Sequence, residues 1–271
     1  MTTNTAIRFP GLVEFPTTPA ASGWSISRAR GKRFTVDHAV AARGSLHAEA
    51  EIEAILIFPA DAGCVTQGGR TVEVPARSVC LLTEGTFAVE AAPGATVAII
   101  RPITGNAPAG AVNEADYDGT DDGILPLAPP ALSRLAGPQI IAADAIRAPA
   151  DKPRLKILRS RCLSISWIEY EGLRDRTKLS PHTHEDFEQG SLALSGEFVH
   201  HLRTPWGPDA TAWREDQHMQ APSPSLCIIP PKVIHTTEGL GAGHHLLIDI
   251  FAPPRADFLG KGWVSNAADY S

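Results

Sequence analysis

Two histidines separated by one residue, His182 and His184, carry the clearest chemical signal in this sequence. Alternate residues of a β-strand point to the same face, so this spacing can present two imidazoles to one point. Glu188 and Gln189 follow within a few residues, and His235 comes later, behind two prolines that favour a turn before the next strand. Three neutral imidazoles and one oxygen donor suit a single divalent transition metal: Zn, Fe, Mn, Ni or Co.

A second group of candidate residues lies near the end of the chain, where Asp249 stands inside an apolar run. Alternation places Leu247, Asp249 and Phe251 on one face, and a buried carboxylate is costly unless it is paired or functional. One interpretation is a structural ion pair between Asp249 and Arg255. The other is a catalytic site, in which Asp249 transfers a proton while Arg255 clamps a carboxylate.

Aromatic side chains provide further candidates for substrate contact. Tyr170 leads into the histidine motif and can reach a molecule bound beside it. Trp206 and Trp213 lie in a long insertion, Thr204–Ala221, where they can stack on a substrate or form a lid. A simply packed loop fits that segment equally well.

The elements that must position these residues are strands. Short β-branched segments separated by Gly, Pro, Asp or Asn fill most of the chain, and helical periodicity is scarce, which predicts all-β barrels or sandwiches. The clearest strands are predicted at Ala54–Phe58, Thr71–Val74, Ser78–Leu82, Thr86–Glu90 and Thr96–Ile100, and then at Cys162–Tyr170, Gly190–Leu194, Glu197–Leu202, Ser225–Ile229 and His245–Phe251.

The two halves of the chain share a similar order of strands and turns, which indicates weak internal repetition. Between them, at about residues 105–135, lies a segment rich in Gly, Pro, Ala and Asp that is predicted to be a linker. We therefore expect one unit at residues 1–125 and a second at residues 126–271.

The second half carries a family resemblance. His182-x-His184, then Gln189 and Gly196, together with Pro-Pro-Lys-Val-Ile-His235, resemble the two motifs of the cupin superfamily. The resemblance implies an all-β fold of two RmlC-like jelly-roll barrels in tandem, with one metal in the second barrel. It implies His182, His184, Gln189 and His235 as the ligands.

Two residues depart from the family pattern. Gln189 stands where a glutamate is usual, with Glu188 beside it, and Lys232 replaces the usual glycine of the second motif. Gln189 keeps the family spacing to Gly196, so we assign it rather than Glu188 as the fourth ligand; alternation sends the two side chains to opposite faces. A neutral amide would leave the metal its full double positive charge and make the site attractive to anions.

The first half resembles a degenerate cupin barrel. It has Ala88 where the second motif would place a ligand histidine, and it lacks a His-x-His pair. We expect His38 and His47 to be ordinary polar residues. This half is expected to hold no metal and to support the fold, cover the other barrel or contribute to a dimer contact.

The last strand makes the second barrel similar to the KdgF-like cupins, which open the rings of unsaturated uronates during pectin and alginate breakdown. In that group an Asp, a Phe and an Arg of this strand line the pocket. The resemblance therefore implies Asp249 and Arg255 as catalytic residues and Phe251 as a substrate contact. The extra first barrel and the insertion at Thr204–Ala221 are unlike that small single-barrel group.

Charge and hydropathy argue against two classes of partner, nucleic acids and membranes. The net charge of -6, without a basic stripe, argues against nucleic-acid binding. No apolar run reaches the length of a membrane span, and Met1-Thr-Thr-Asn4 lacks the pattern of a signal peptide, so we expect a cytoplasmic protein without a membrane partner. Exposed barrel edges favour a homodimer.

Three functions stay open from sequence. The first is an enzyme that polarises an oxygen of a small keto acid, hydroxy acid or unsaturated uronate at the metal while Asp249 moves a proton. The second is an Fe(II) dioxygenase, since three imidazoles with open positions suit that ion. The third is a non-catalytic sensor or binding protein, in which protein ligands fill the coordination sphere.

Overall fold

The computed structural model describes residues 10–118 and 124–271. Residues 1–4, on which the expectation about a signal peptide rests, lie outside this part, as do residues 119–123 of the expected linker. No helix in the described part is long and apolar enough to cross a membrane.

The described residues form strands joined by turns, with little helix. In the first half the strands are β1 (Gly11–Glu14), β2 (Trp24–Arg30), β3 (Phe34–Ala41), β4 (Leu46–Phe58), β5 (Gly63–Gln67), β6 (Arg70–Val74), β7 (Ser78–Ala91) and β8 (Thr96–Pro102). In the second half they are β9 (Gln139–Ala142), β10 (Lys156–Arg159), β11 (Ser164–Glu171), β12 (Gln189–Ser195), β13 (Glu197–Arg203), β14 (Gln217–Pro222), β15 (Ser225–Ile229), β16 (Ile234–Leu240) and β17 (His244–Phe251). The helix α1 spans Ala256–Gly260, and short 3-10 turns lie at Glu114–Tyr117, Ala143–Ala145, Ala210–Ala212 and Ala267–Asp269.

The first barrel is one eight-stranded sheet in the order β2-β3-β8-β4-β7-β5-β6, with β9 added beside β7. Its long strand β7 replaces the two separate strands predicted at Ser78–Leu82 and Thr86–Glu90. Gly85, with a φ of 123°, lies in the middle of this strand. The register to β4 shifts just beyond that point, between Ala50 and Glu53. A glycine accepts this backbone conformation without the clash that a Cβ would cause, so the strand bends there instead of ending.

The second barrel consists of two sheets. One has six strands in the order β1-β15-β12-β17-β11-β10, and the other has three in the order β14-β13-β16. Side chains of both sheets meet in buried clusters, one of which joins Phe198 of β13 to Ala193 and Leu247 of the six-stranded sheet. The predicted all-β fold of two jelly-roll barrels is confirmed.

The barrels exchange strands across the chain. β1 pairs antiparallel with β15, so residues 11–14 extend a sheet of the second barrel. β9 pairs antiparallel with β7, so residues 139–142 extend the sheet of the first barrel. Division into units at 1–125 and 126–271 stays a prediction, and these two pairings place one strand of each half on the other barrel.

A single apolar core joins the two barrels. Ile55 and Ile57 of β4 belong to the same buried cluster as Trp167 of β11 and Ile248 and Ile250 of β17, and all five are inaccessible to solvent. These side chains come from the outer face of each large sheet. A strand that is buried on both faces has apolar residues at every position. This explains why the segment Ala54–Phe58 is apolar throughout.

The two faces of β17 have different chemistry. Ile248 and Ile250 point into the core between the barrels, whereas Leu247, Asp249 and Phe251 line a cavity inside the second barrel. The predicted alternation along this strand is confirmed. The inner face of the second barrel is therefore free to carry polar groups, because the outer face supplies the packing.

Apolar side chains fill the interior of the first barrel. Leu56, Phe58, Cys80, Val97 and Ile99 belong to one buried cluster there, and none is more than 1% exposed. His38 is buried outside this cluster, with its ring stacked on that of Phe15. This apolar cluster supplies packing to the first barrel.

We predict that the two barrels unfold in one cooperative transition, because their outer faces share one core. Ile248→Ala should lower the free energy of unfolding by about 2–5 kcal/mol, through lost transfer energy and the cavity left behind. Leu132→Ala, at a side chain that is 70% exposed, is the control and should change it by less than about 0.5 kcal/mol. Denaturant unfolding followed by fluorescence and circular dichroism measures both; two separate transitions, with one unaffected by Ile248→Ala, would contradict the shared core.

Candidate metal centre

Three imidazoles converge inside the second barrel. Ligand atoms of His182, His184 and His235 all lie within 4.8 Å of one another, and the last two residues are buried. His182 and His235 are joined by two backbone hydrogen bonds of 3.0 and 2.8 Å that form an isolated bridge. The predicted convergence is present. The spacing of His182 and His184 predicted a regular strand, however, and His184 lies in a loop.

Lys232 occupies the turn that brings His235 to the site. Its φ of 67° lies in the left-handed region that favours glycine, which is the residue usual at this motif position. Its backbone N–H donates to the carbonyl of His184 at 2.6 Å. This bond ties the loop of the second motif to the loop of the first.

Backbone carbonyls fix the tautomers of two imidazoles. Nδ1 of His182 lies 2.8 Å from the carbonyl oxygen of Ser180, and Nδ1 of His235 lies 2.9 Å from that of Val233. A carbonyl oxygen only accepts hydrogen bonds, so each Nδ1 carries the proton and each Nε2 keeps a free lone pair. Metal-binding histidines are oriented in this way.

The Gln189 side chain presents its oxygen to the histidines. Its amide nitrogen donates to Ser191 Oγ at 2.9 Å and to Asp249 Oδ1 at 3.0 Å, which fixes the orientation of the amide. Its Oε1 therefore lies 3.0 Å from Nε2 of His184 and 3.2 Å from Nε2 of His235.

Two lone pairs face each other as a result. Nε2 of His235 and Oε1 of Gln189 are both acceptors, and no proton of the neutral groups is available between them. A cation placed among the three imidazoles and this oxygen would satisfy all of them. The residues present therefore fit a divalent metal, with nitrogen and oxygen donors of the kind that transition metals accept.

Burial keeps His184 and His235 neutral. Desolvation lowers the pKa of His184 to about 3, with the charge of Arg255 adding to the effect, and desolvation lowers the pKa of His235 to about 4. At neutral pH both rings are unprotonated, which is the form that binds a metal.

Glu188 points away from this site. Its carboxylate accepts from the backbone N–H of Lys32 at 2.5 Å and from the Tyr117 hydroxyl at 3.1 Å. Lys32 belongs to the first barrel and Tyr117 to the expected linker, so Glu188 ties the metal motif to both. Gln189 is the member of the pair that faces the histidines.

Two histidines of the triad line a cavity of about 610 Å³ inside the second barrel. His182, Gln189 and His235 line it, together with Phe198, Leu247 and other residues of the inner sheet faces. Cationic side chains in the lining outnumber carboxylates, although the whole chain is acidic. The cations are Lys152, Arg154, Arg174, Lys178, Arg255 and Lys261, and the carboxylates are Asp151, Asp249 and Asp257.

Asp249 lies beside Gln189 and is not paired with Arg255. Its Oδ1 accepts from Ser191 Oγ at 2.7 Å and from the Gln189 amide. Desolvation raises its pKa to about 6, against the lowering effect of the Ser191 bond and the charge of His182. The structural ion pair between Asp249 and Arg255, one of the two sequence interpretations, does not form.

Arg255 lines the cavity but already has a partner. Its Nε and a terminal nitrogen bond the two carboxylate oxygens of Asp257 at 2.9 and 2.7 Å. Its guanidinium also lies 4.0 Å from the centre of the Phe258 ring. A free arginine clamp at this position, as expected from sequence, would have to exchange Asp257 for a substrate carboxylate.

The predicted aromatic contacts divide into two groups. Phe251 and Tyr170 both line the cavity, and the Phe251 ring meets His184 edge-on with ring centres 5.7 Å apart. Trp206 lies outside the cavity lining and is 72% exposed, with its ring stacked on Trp213 at 4.6 Å. The insertion packs its two indoles on each other, and Trp206 as a substrate contact stays a prediction.

Sequence reasoning missed Ser191, Arg154 and Arg174. Ser191 follows Gln189 by two residues, so alternation would have placed both on one face. Arg154 lies before β10 in Lys152-Pro-Arg154, and Arg174 lies after β11 in Arg174-Asp-Arg176-Thr-Lys178. These local clusters of basic residues were the available signal.

We predict that His235→Ala strongly weakens Co(II) binding. Loss of a residue that only hydrogen-bonds to a metal ligand lowers the affinity roughly 10- to 100-fold, and the effect of His235→Ala should be larger. The reason is the loss of one of three converging imidazoles. His47→Ala, at an exposed histidine of the first barrel, is the matched control and should bind as the wild type does. Competition against a chromophoric chelator measures the affinities, and equal affinity of the two variants would contradict the site.

Comparison with known proteins finds no matching family model and no matching curated protein. Oxalate decarboxylase from Lactobacillus farciminis, solved as a formate complex, matches with a TM-score of 0.57 at 11% identity, over 94% of this chain and 88% of that one. A cupin 2 conserved barrel domain protein from Leptotrichia buccalis matches with a TM-score of 0.50 at 12% identity, over 93% and 98%. The coconut allergen cocosin matches with a TM-score of 0.52 at 13% identity, over 82% and 77%. At such identities the likeness concerns the fold: this chain folds as two tandem cupin barrels.

Proposed function

We propose that the second barrel binds one divalent transition metal and that the protein is an enzyme acting there on a small, oxygen-rich anion. His182, His184, His235 and the Oε1 atom of Gln189 would hold the ion. The observation that carries this proposal is the fixed Gln189 oxygen facing the lone pair of His235, beside a cavity whose lining is mainly cationic.

The charge of the site supports an anionic substrate. Three neutral imidazoles and a neutral amide leave the double positive charge of the ion uncompensated by its protein ligands. When bound, such an ion acts as a Lewis acid that polarises a carbonyl or hydroxyl oxygen. The cationic side chains of the cavity add to the attraction for an anion in a confined space.

Asp249 is the residue we assign to proton transfer. Ser191 and Gln189 hold one of its carboxylate oxygens, and the other makes no hydrogen bond within the described part of the chain. The carboxylate lines the cavity next to the amide that faces the triad. It would therefore accept a proton from a carbon or hydroxyl of a substrate in the cavity and return it.

The substrate class we favour contains keto acids, hydroxy acids and unsaturated uronates. Asp249 and Phe251 line the cavity in the pattern that the resemblance to uronate ring-opening cupins implied, and Arg255 lies with them. Oxalate, the substrate of the oxalate decarboxylase that shares this fold, belongs to the same chemical class of small oxygen-rich anions.

We predict that Asp249→Asn keeps its metal and loses about 10²- to 10⁴-fold in turnover, the usual contribution of a positioned acid or base. Asp61→Asn, at an exposed residue of the first barrel, is the matched control. A screen of unsaturated uronates and keto acids with metal-loaded protein provides the assay, and elemental analysis of each variant checks the metal. Full activity of Asp249→Asn would remove this residue from the mechanism.

The same assay without oxygen separates the proposal from the dioxygenase alternative. Proton-transfer chemistry needs no oxidant, so turnover should continue under anaerobic conditions. Turnover that stops without oxygen and resumes on its addition would contradict the proposal.

A further inference from the structure

Two arginines of the cavity lining lack an acidic partner. The guanidinium of Arg154 makes no hydrogen bond or ion pair with any residue that the structure describes, and its central carbon lies 5.4 Å from the centre of the Tyr170 ring. Arg174 makes a long bond of 3.4 Å to the carbonyl oxygen of Lys178. Both side chains line the same cavity as His182 and His235.

Three of the four other cations in the cavity lining are paired with carboxylates. Arg255 makes two bonds to Asp257, Lys261 lies 3.8 Å from Asp257, and Lys178 lies 3.4 Å from a carboxylate oxygen of Asp175. Unpaired guanidinium groups in a cavity wall are therefore a local feature of the segments before β10 and after β11.

Arg154 and Arg174 repel each other. Partial burial of Arg174 and the charge of Arg154 lower the pKa of Arg174, while the charges of Tyr170 and Asp175 act in the opposite direction. Like charges held together in a partly desolvated place favour binding of an anion between them. A carboxylate can accept from two guanidinium groups at once, through short charge-assisted hydrogen bonds.

This arginine pair lies away from the proposed metal along β11. Ser166 pairs with Asp249 in the register of β11 and β17, and Tyr170, beside Arg154, is four residues further along. Four residues of strand span about 13 Å. Ile168 and Leu247 pair between these two positions, and both line the cavity. A ligand that joined the two ends would pass along an apolar wall.

We propose that Arg154 and Arg174 form a second anion site, which binds a carboxylate of the substrate remote from the metal. This inference rests on the proposed function and makes its substrate class narrower. The substrate is an extended acid, with one oxygen group at the metal, a carbon chain along Ile168 and Leu247, and a terminal carboxylate at the arginine pair. An acid as short as oxalate reaches the metal alone.

The test uses cobalt-loaded full-length protein and three dicarboxylates of increasing length: oxalate, suberate and sebacate. Calorimetry gives the affinities, and the visible spectrum of Co(II) reports whether an acid reaches the metal. In Arg154→Gln with Arg174→Gln, suberate or sebacate should bind about tenfold more weakly or worse, as expected for lost hydrogen bonds to charged groups, with oxalate unchanged. Arg43→Gln, at an exposed arginine of the first barrel, is the control and should leave all three affinities unchanged.

Three outcomes would overturn the inference. The first is an equal loss for all three acids in the double variant, which would indicate a general effect of charge. The second is no loss for any of them. The third is wild-type protein whose cobalt spectrum responds to oxalate but which does not bind the longer acids. Each of these, with cobalt bound, leaves the proposed function standing, whereas failure of cobalt to bind would overturn both together.

Discussion

The six-stranded sheet of the second barrel has two faces of opposite chemistry, and the rest of the molecule depends on keeping them separate. Its outer face carries Leu192, Trp167, Ile248 and Ile250, which are buried against the first barrel. Its inner face carries Gln189, Ser191 and Asp249. Because successive residues of a strand alternate between faces, apolar packing on one side and a polar site on the other can share the same strands.

The first barrel makes this division possible. A sheet that turns its polar face inward gains little apolar burial there, so another surface must supply the packing. The first barrel provides it through its large sheet, and Glu188 adds hydrogen bonds to Lys32 and Tyr117 directly beside the metal motif. The first barrel thus helps to hold the loop that carries the histidines of the second barrel.

Hydrogen bonds then determine what the polar face can bind. Ser191 and Asp249 fix the amide of Gln189, and backbone carbonyls fix the rings of His182 and His235. In this arrangement oxygen and nitrogen lone pairs point at a common space. A glutamate at position 189 would place its carboxylate beside that of Asp249, and the two like charges would repel. The Gln189 amide instead donates a hydrogen bond to Asp249.

Much of this could be predicted from sequence, where the signal is local. The spacing of His182, His184 and Gln189, and the alternation around Asp249, predicted which side chains converge. The strand exchange by β1 and β9 could not be predicted, because pairing between distant segments leaves no local pattern. Arg154 stands in a local cluster of basic residues, but its place in the cavity is set by tertiary packing. The stacking of Trp206 on Trp213 is also a tertiary contact, which the sequence does not show.

X-ray absorption at the cobalt edge of the loaded full-length protein identifies the atoms that bind the ion. We expect one ion per chain with three imidazole nitrogens in its coordination sphere, and loss of one oxygen scatterer in Gln189→Leu. An ion with fewer than three imidazoles, or a protein that stays metal-free when cobalt is offered, would contradict this expectation.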